Sequence, residues 1–350
     1  MRIEENKPLA PLTTLGVGGP ARWFVQAGNE EEIAEAAAWA RERSIPLFVL
    51  GGGSNLLVAD AGFNGLLLHI GLKGINVREG AASSDERVYE VAAGEDWDQC
   101  VQRTVDEDCA GLECLAGIPG TVGGTPVQNV GAYGQEVSST IDRVRAFDLQ
   151  QHAFVEFSAP ECAFTYRHSR FNTTDRGRYI LTRVAYRLKL HGAPTVKYAD
   201  LQRHFAAGAT PRLHVVAETV RSIRKSKGML IVEGDPDCRS AGSFFKNPIL
   251  SAERVAAVAS AAGIGPPHFP ADPGSENCVK LPAAWLIEKA GFTKGYALGR
   301  AGISTKHTLA LVNRGGAMSA EIMLLADKIR AAVAEQFAIE LQMEPVMLGF

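Results

Sequence analysis

Five places in the chain gather residue types able to do chemistry. The first is VLGGGSNLLV (49–58), where a short apolar run enters Gly51, Gly52 and Gly53, followed by Ser54 and Asn55. Glycines let backbone approach a ligand closely, and successive N–H groups in such a turn form a nest for an anion, typically a phosphate. The spacing is neither Gly-x-Gly-x-x-Gly nor a Walker loop, because no Lys follows the glycines. A tight strand-to-strand turn accounts for the triplet equally well. The second is GLECLAGIPGTVGGTPVQNVGAYGQEV (111–137), with seven glycines. Its small apolar residues leave the backbone to form a pocket wall. Thr121, Thr125, Gln128 and Asn129 can hydrogen-bond a flat heterocycle. Loops this long and irregular are commonly functional, although a glycine-rich packing corner is the other reading.

The third place is RSAGSFFKNP (239–248). Ser243 follows Gly242, but Ala241 and Phe245 stand where a Gly-x-Ser-x-Gly elbow needs glycine, so hydrolase chemistry is unsupported. A serine there also serves as a turn or cap residue. The fourth is the tail IELQMEPVMLGF, where Glu344 sits in an apolar, strand-like run beside Pro345. Such a carboxylate belongs either to a sheet edge or to a site that tunes its pKa. The fifth is AFTYRHSRF (163–171), where Arg167 follows two aromatic residues; arginines in such runs often extend to solvent.

The elements that must position these residues follow from pattern. Asn29 caps a helix that opens on Glu30, Glu31 and Glu32, with Ile33, Ala36, Ala37 and Ala40 at helical spacing. Residues 47–50, 66–70 and 88–93 are expected as strands. A helix is expected from Asp96 to Cys109, closed by Gly111. Residues 178–190 alternate, with Val184, Tyr186, Leu188 and Leu190 on one face and Arg187 and Lys189 on a solvated one. Three helices follow: one carrying Val255, Val258, Ala259 and Ala262 and ending before Gly263; one opened by Pro282 and running to Gly291; one capped by Ser319 and carrying Ile322 to Phe337. The stretch 266–277 is expected as a surface loop. Strands and helices mix without strict alternation, so the fold class is expected to be α+β.

Composition narrows the function. The chain has 350 residues, 36 basic and 39 acidic, a net charge of −3 and 46% apolar residues. That is enough apolar material for a core in more than one domain, and it excludes global disorder. Balanced charge gives no footprint for nucleic acid or an anionic membrane. No apolar run is long enough to span a bilayer, and MRIEENKPLAPL lacks the h-region of a signal peptide, so a cytoplasmic protein is expected. The six cysteines, at 100, 109, 114, 162, 238 and 278, form no Cys-x-x-Cys pair, and the eight histidines are scattered. Buried, reduced thiols and no metal site are expected.

TTLGVGGPA (13–21), LGGGSNLLV (50–58), GIPGTVGGTPVQNVGAYGQE (117–136), YRHSRF (166–171), AGSFFKNP (241–248) and Met343-Glu344-Pro345 occur in this order. The series resembles the UDP-N-acetylenolpyruvoylglucosamine reductase (UDP-N-acetylmuramate dehydrogenase) family of bacterial cell-wall synthesis, from about Thr13 to Phe350. The resemblance implies a two-part FAD-binding region of the vanillyl-alcohol-oxidase type and a smaller α+β substrate domain. The expected divisions are 1–70 and 71–222 for the FAD-binding subdomains, 223–338 for substrate binding, and a C-terminal strand, 339–350, carrying Glu344. It implies non-covalent FAD reduced by NADPH, a hydride passed to C3 of the enolpyruvyl group of the UDP-linked amino sugar, and a proton added at C2.

Residue by residue, the resemblance makes Ser243 the proton donor and Arg167 and Glu344 its catalytic companions. A hydroxyl is a weak acid, fit to protonate only a strongly basic enolate-like species. Arg167 suits the substrate carboxylate, and Glu344 suits hydrogen bonding to the same group or orienting it. Tyr198, in PTVKYADLQR, matches the tyrosine that closes over the nucleotide-sugar in the family's first subtype. Tyr166, Lys227 (with Lys225 as its neighbouring alternative), Asn247 and Lys289 fall at further substrate-binding positions. FAD contacts fall at Gly51, Gly52, Gly53, Ser54 and Asn55 for the pyrophosphate, and at Ile118, Pro119, Gly120, Thr121, Gly123, Gly124, Gln128, Asn129, Gly131, Ala132, Tyr133 and Gly134 for the two ring ends. An oxidase of the same fold is the nearest rival, but residues 51–57 contain no His or Cys for covalent flavin attachment. A non-catalytic nucleotide-sugar binder is the other, and it would be colourless where a flavoenzyme is yellow.

Overall fold

Asn29 does cap its helix: its side chain accepts a hydrogen bond from the Glu32 N–H, and Glu30–Glu42 follows with Ile33, Ala36, Ala37 and Ala40 buried. The computed structural model describes residues 1–80, 85–206, 208–270 and 277–350. They form an α+β fold in two compact units that do not follow the chain contiguously. One unit comprises Met1–Lys7, Ala21–Gly52 and Asn64–Lys225; the other comprises Pro8–Pro20, Gly53–Phe63 and Ser226–Phe350.

The first unit holds two sheets. One has the strand order Glu4–Pro8, Pro20–Ala27, Phe63–Ile70, Leu47–Leu50, and the last two pair in parallel, Leu47 opposite Leu66. The other is antiparallel, in the order Ala153–Ser158, Ile141–Asp148, Tyr179–Leu190, Glu86–Ala92, Ile75–Glu79. Asp96 caps the helix Trp97–Asp106 through the Gln99 N–H. That helix stops at Asp106, short of the expected Cys109. Asp108 takes a left-handed conformation, and Cys109–Ala110 becomes a short strand against Leu190 and Lys189.

The central strand corrects a second expectation. Tyr179–Leu190 is not solvated along one face: Ile180, Leu181, Thr182, Val184, Ala185 and Tyr186 are all buried. It is flanked by strands on both edges and packed on both faces. Ile180 lies in the core with the Glu30–Glu42 helix, while Leu181, Val184, Tyr186 and Leu188 lie in the core beneath Trp97–Asp106. Arg187 keeps its charge by pairing with Glu86 and Asp142.

In the second unit Leu56–Val58 pairs in parallel with Val346–Leu348, joining residues far apart in sequence. Two three-stranded sheets accompany the helices Ala252–Ala262, Ala283–Lys289 and Ser319–Phe337. Gly263 ends the first helix in the left-handed conformation, as its position suggests. Pro282 precedes the second as its cap residue. Ser319 is the first residue of the third helix rather than its cap. Its hydroxyl donates to the Val58 carbonyl, and its N–H donates to Asp60 at 2.7 Å. The expected loop 266–277 is only partly a loop: Phe269–Pro270 pairs with Lys280 and Val279, and residues 271–276 lie outside the described residues.

Candidate active site

In the first unit the strand Leu47–Leu50 delivers Gly51 and Gly52 against the glycine-rich loop. A methyl group at Gly52 would stand 2.5 Å from the Gly120 Cα, a distance only glycine can meet. A methyl group at Gly51 would lie 2.7 Å from the Thr121 Oγ1. That hydroxyl is buried and has no hydrogen-bond partner among the described residues. Buried polar atoms are almost always bonded, so an orphaned hydroxyl beside closely approaching bare backbone fits a bound phosphate-bearing cofactor such as FAD.

The loop from Gly117 to Gly134 is held by residues the sequence reading did not single out. Asp98 accepts the Gly117 N–H at 2.6 Å, and the buried Arg224 donates through Nε to the Gly117 carbonyl at 3.0 Å. Burial pulls the Arg224 guanidinium below its ordinary pKa, against the opposing pull of Tyr133 and Asp98. No local pattern marks Arg224, which reads as one more basic residue in the last turn of Leu213–Ser226.

Several expected ligand residues are occupied within the loop. The Asn129 amide donates to Glu136 Oε2 and the Thr165 carbonyl and accepts the Ser138 N–H, so it shapes the loop. Thr125 is buried, donates to the Val122 carbonyl and lies 2.7 Å from the Tyr186 hydroxyl. Gly123 packs its backbone on Ala93, to which it donates at 2.9 Å. Ile118, Pro119, Gly120 and Thr121 are half-buried; so are Gln128, Gly131, Ala132 and Tyr133, while Gly124 and Gly134 are exposed. Burial pushes the Tyr133 hydroxyl up to about 12. The Tyr133 ring meets that of Tyr198 edge-on at 5.7 Å.

Arg167 stands at a left-handed position inside a turn closed by reciprocal Thr165–His168 backbone hydrogen bonds. Its guanidinium lies 5.4 Å from the Tyr166 ring, and its Nη1 is 3.5 Å from where a Gly131 Cβ would sit. The side chain is half-buried beside the glycine loop rather than extended to solvent.

Ser243 and Glu344 lie in the second unit on two segments that pair through their backbones, with Phe244 rather than Ser243 opposite Glu344. The Glu344 N–H donates to the Phe244 carbonyl at 2.9 Å, the Lys246 N–H to the Gln342 carbonyl at 2.9 Å, and Phe245 bridges to Met343. Phe244 and Phe245 anchor this pairing in the core. Asn55 belongs to the same arrangement: its side chain donates to the Glu344 carbonyl at 3.3 Å, and its own carbonyl accepts the Val346 N–H. Gly53 packs on Leu12, whose carbonyl oxygen would lie 1.9 Å from an added Cβ. Ser54 follows, half-buried.

The expected substrate residues divide. Lys227 is half-buried and faces His307, whereas Lys225 is exposed. The Asn247 side chain accepts the Ala283 N–H and so holds the start of Ala283–Lys289. Lys289 is exposed, its ammonium 5.8 Å from the ring of Trp285 on the same helix. His307 is a residue the sequence reading missed. Burial, reinforced by Lys227 and Lys294 and opposed by Glu288, lowers its pKa to about 4. A lone histidine in STKHT gives no signal of that environment.

Comparison with known proteins places this geometry. A family model described as "UDP-N-acetylenolpyruvoylglucosamine reductase, C-terminal domain" matches residues 235–348, and one described as "FAD binding domain" matches residues 21–151. UDP-N-acetylenolpyruvoylglucosamine reductase of Streptomyces coelicolor is 47% identical over 98% of this chain and 90% of its own length. That of Thermobifida fusca is 46% identical over 98% of this chain and 97% of its own. The crystal structure of the Thermus caldophilus reductase superposes with a TM-score of 0.69 at 27% identity, covering 99% of both chains. The chain therefore belongs to the UDP-N-acetylenolpyruvoylglucosamine reductase family.

Proposed function

We propose that this chain uses NADPH and a non-covalently bound FAD to reduce the enolpyruvyl group of a UDP-linked N-acetylglucosamine, giving UDP-N-acetylmuramate for peptidoglycan synthesis. The observation that carries the reading is the backbone pairing of Glu344 with Phe244, the residue after Ser243, in a chain alike over its whole length to the named reductases. FAD supplies the relay of a hydride from NADPH to C3 of the enolpyruvyl group. Gly51, Gly52 and the 118–134 loop would hold it, with the Thr121 hydroxyl as a donor awaiting an acceptor.

The chain's own residues handle charge and proton. Hydride arriving at C3 leaves an electron pair at C2, delocalised into the adjacent carboxylate. Arg167 offers a fixed cation for that carboxylate, where charge accumulates as the barrier is crossed. Ser243 gives its hydroxyl proton to C2 and regains one from solvent. The weak acidity of a hydroxyl matches a base that strong, and acid catalysis of this kind is worth roughly 10²–10⁴-fold. Glu344 orients the reacting carboxylate group. Tyr198 and Lys227 bind the nucleotide diphosphate end.

The test is turnover. Purified protein supplied with NADPH and the UDP-linked enolpyruvyl sugar should oxidise one NADPH for each substrate that gains two hydrogens, read by absorbance and by mass. NADPH consumption that does not depend on the sugar would overturn the reading.

A further inference from the structure

Glu113 is fully buried, yet among the described residues no cation pairs with it. Three N–H donors satisfy its carboxylate. Oε2 accepts the Gly111 N–H at 2.8 Å; Oε1 accepts the Gln135 Nε2 at 2.9 Å and the Thr195 N–H at 2.7 Å. A buried charge without a counter-ion is costly, and each donor it loses costs more than a neutral hydrogen bond would. A glutamine could not replace it, because its own NH₂ would be set against one of the three donors.

The network grips one residue on every side. Besides its N–H, Thr195 has its carbonyl held by the Cys114 Sγ at 3.0 Å, and its hydroxyl lies 3.4 Å from the same Gln135 amide. Gln135 in turn accepts the Cys114 N–H at 2.9 Å. Three residues beyond Thr195 stands Tyr198, 37% exposed, its ring edge-on to Tyr133. Past it the short helix Ala199–Gln202 is fixed by the buried Leu201. Thr195 is thus the polar anchor of the tyrosine segment and Leu201 the apolar one.

We propose that Glu113 is a positioning residue for the reaction. Through Thr195 and Gln135 it sets where Tyr198 stands over Tyr133, and so the fraction of molecules ready to bind the nucleotide end of the substrate. The inference rests on the reading of Tyr198 as a nucleotide-binding residue. Apparent affinity scales with the binding-ready fraction, so releasing Thr195 weakens substrate binding without touching NADPH oxidation.

The experiment is a double-mutant cycle in the flavin-loaded enzyme. Glu113→Gln should raise KM for the UDP-linked enolpyruvyl sugar by roughly tenfold, the effect of one lost hydrogen bond to a charged group. NADPH-driven flavin bleaching should stay within about twofold of wild type. Combined with Tyr198→Phe, the double variant should be little worse than the worse single one, because both act on one contact. Gln135→Met, which keeps the volume and deletes the relaying amide, should give a smaller rise in KM and serves if Glu113→Gln does not fold. Additive effects in the cycle, equal slowing of both half-reactions, or an unchanged KM in the folded variants would each overturn the proposal. Wild-type enzyme that does not reduce the sugar would instead overturn the functional reading beneath it.

Discussion

Ser243→Ala separates chemistry from folding. Ser243 is half-buried, and among the described residues its hydroxyl makes no hydrogen bond, so the substitution removes no native partner. Its neighbours hold the backbone independently: the Phe244 N–H donates to the Leu309 carbonyl at 2.8 Å, and the Phe244 carbonyl accepts from Glu344 at 2.9 Å. A change of this kind alters stability by no more than about 0.5 kcal/mol, which keeps the melting temperature within about 2 °C. If the hydroxyl is the proton donor to C2, its loss raises the barrier by about 2.7 kcal/mol or more, the equivalent of a hundredfold at the low end of acid catalysis. The two magnitudes differ enough to decide. Stopped-flow absorbance should show NADPH bleaching the flavin at near wild-type rate, and the enolpyruvyl sugar restoring colour at least about a hundredfold more slowly. Recolouring within threefold of wild type would refute the role and move the proton to Glu344 or a bound water.

Three further outcomes follow from the same geometry. Gly52→Ala forces a methyl group to 2.5 Å from Gly120; overpacking of this kind costs about 1–3 kcal/mol, so FAD dissociation followed by fluorescence should be at least about fivefold weaker, and unchanged affinity with an unchanged melt would remove the close-approach argument. His307 has a folded pKa near 4 against 6.5 for the free side chain, so between those values the unfolded chain binds more protons and stability falls as pH drops through the window, by at most about 3 kcal/mol; with Lys227, Lys294 and Glu288 left in place, His307→Asn should flatten melting curves taken from pH 7 to 4, and an undiminished slope would assign the acid sensitivity elsewhere. Cys100, Cys109, Cys114, Cys162 and Cys238 are buried, and burial raises each thiol, so a thiol-reactive dye at neutral pH should label native protein rapidly at Cys278 alone and all six after denaturation; fast reaction at two or more sites would contradict that burial.

Local chemistry was legible where the signal was local. Asn29 read correctly as a cap, and Gly263 as the point where its helix stops, because such signals are decided within four residues. Ser319 read as a cap because its type fits one, yet its hydroxyl is drawn to Val58, more than 250 positions away, and no local pattern carries that partner. The strand Tyr179–Leu190 alternates over its second half, but its first half sits at the centre of a sheet covered on both faces, where alternation is lost. Phe269–Pro270 looked like loop because Pro and Gly dominate its surroundings, although strand pairing with Val279 and Lys280 prevails there. The site motifs announced themselves by residue type, whereas the braces that hold them did not. Arg224 and Glu113 act from buried positions, which a charged residue in a polar-looking stretch does not advertise, and Asp98 acts through a half-exposed carboxylate that accepts the Gly117 N–H. Asn129 and Asn247 have structural duties that residue type alone does not announce, one inside a loop and the other at a helix start.

The proposed function rests on one flavin that accepts hydride from NADPH and yields it to the enolpyruvyl sugar. Anaerobic stopped-flow absorbance near the flavin band tests it most directly. The protein should be yellow, NADPH should bleach it, and the UDP-linked enolpyruvyl sugar, added next, should fully recolour it without oxygen, while UDP-N-acetylglucosamine should not. A protein that is colourless after loading with FAD, or that stays bleached when the enolpyruvyl sugar arrives, would contradict it.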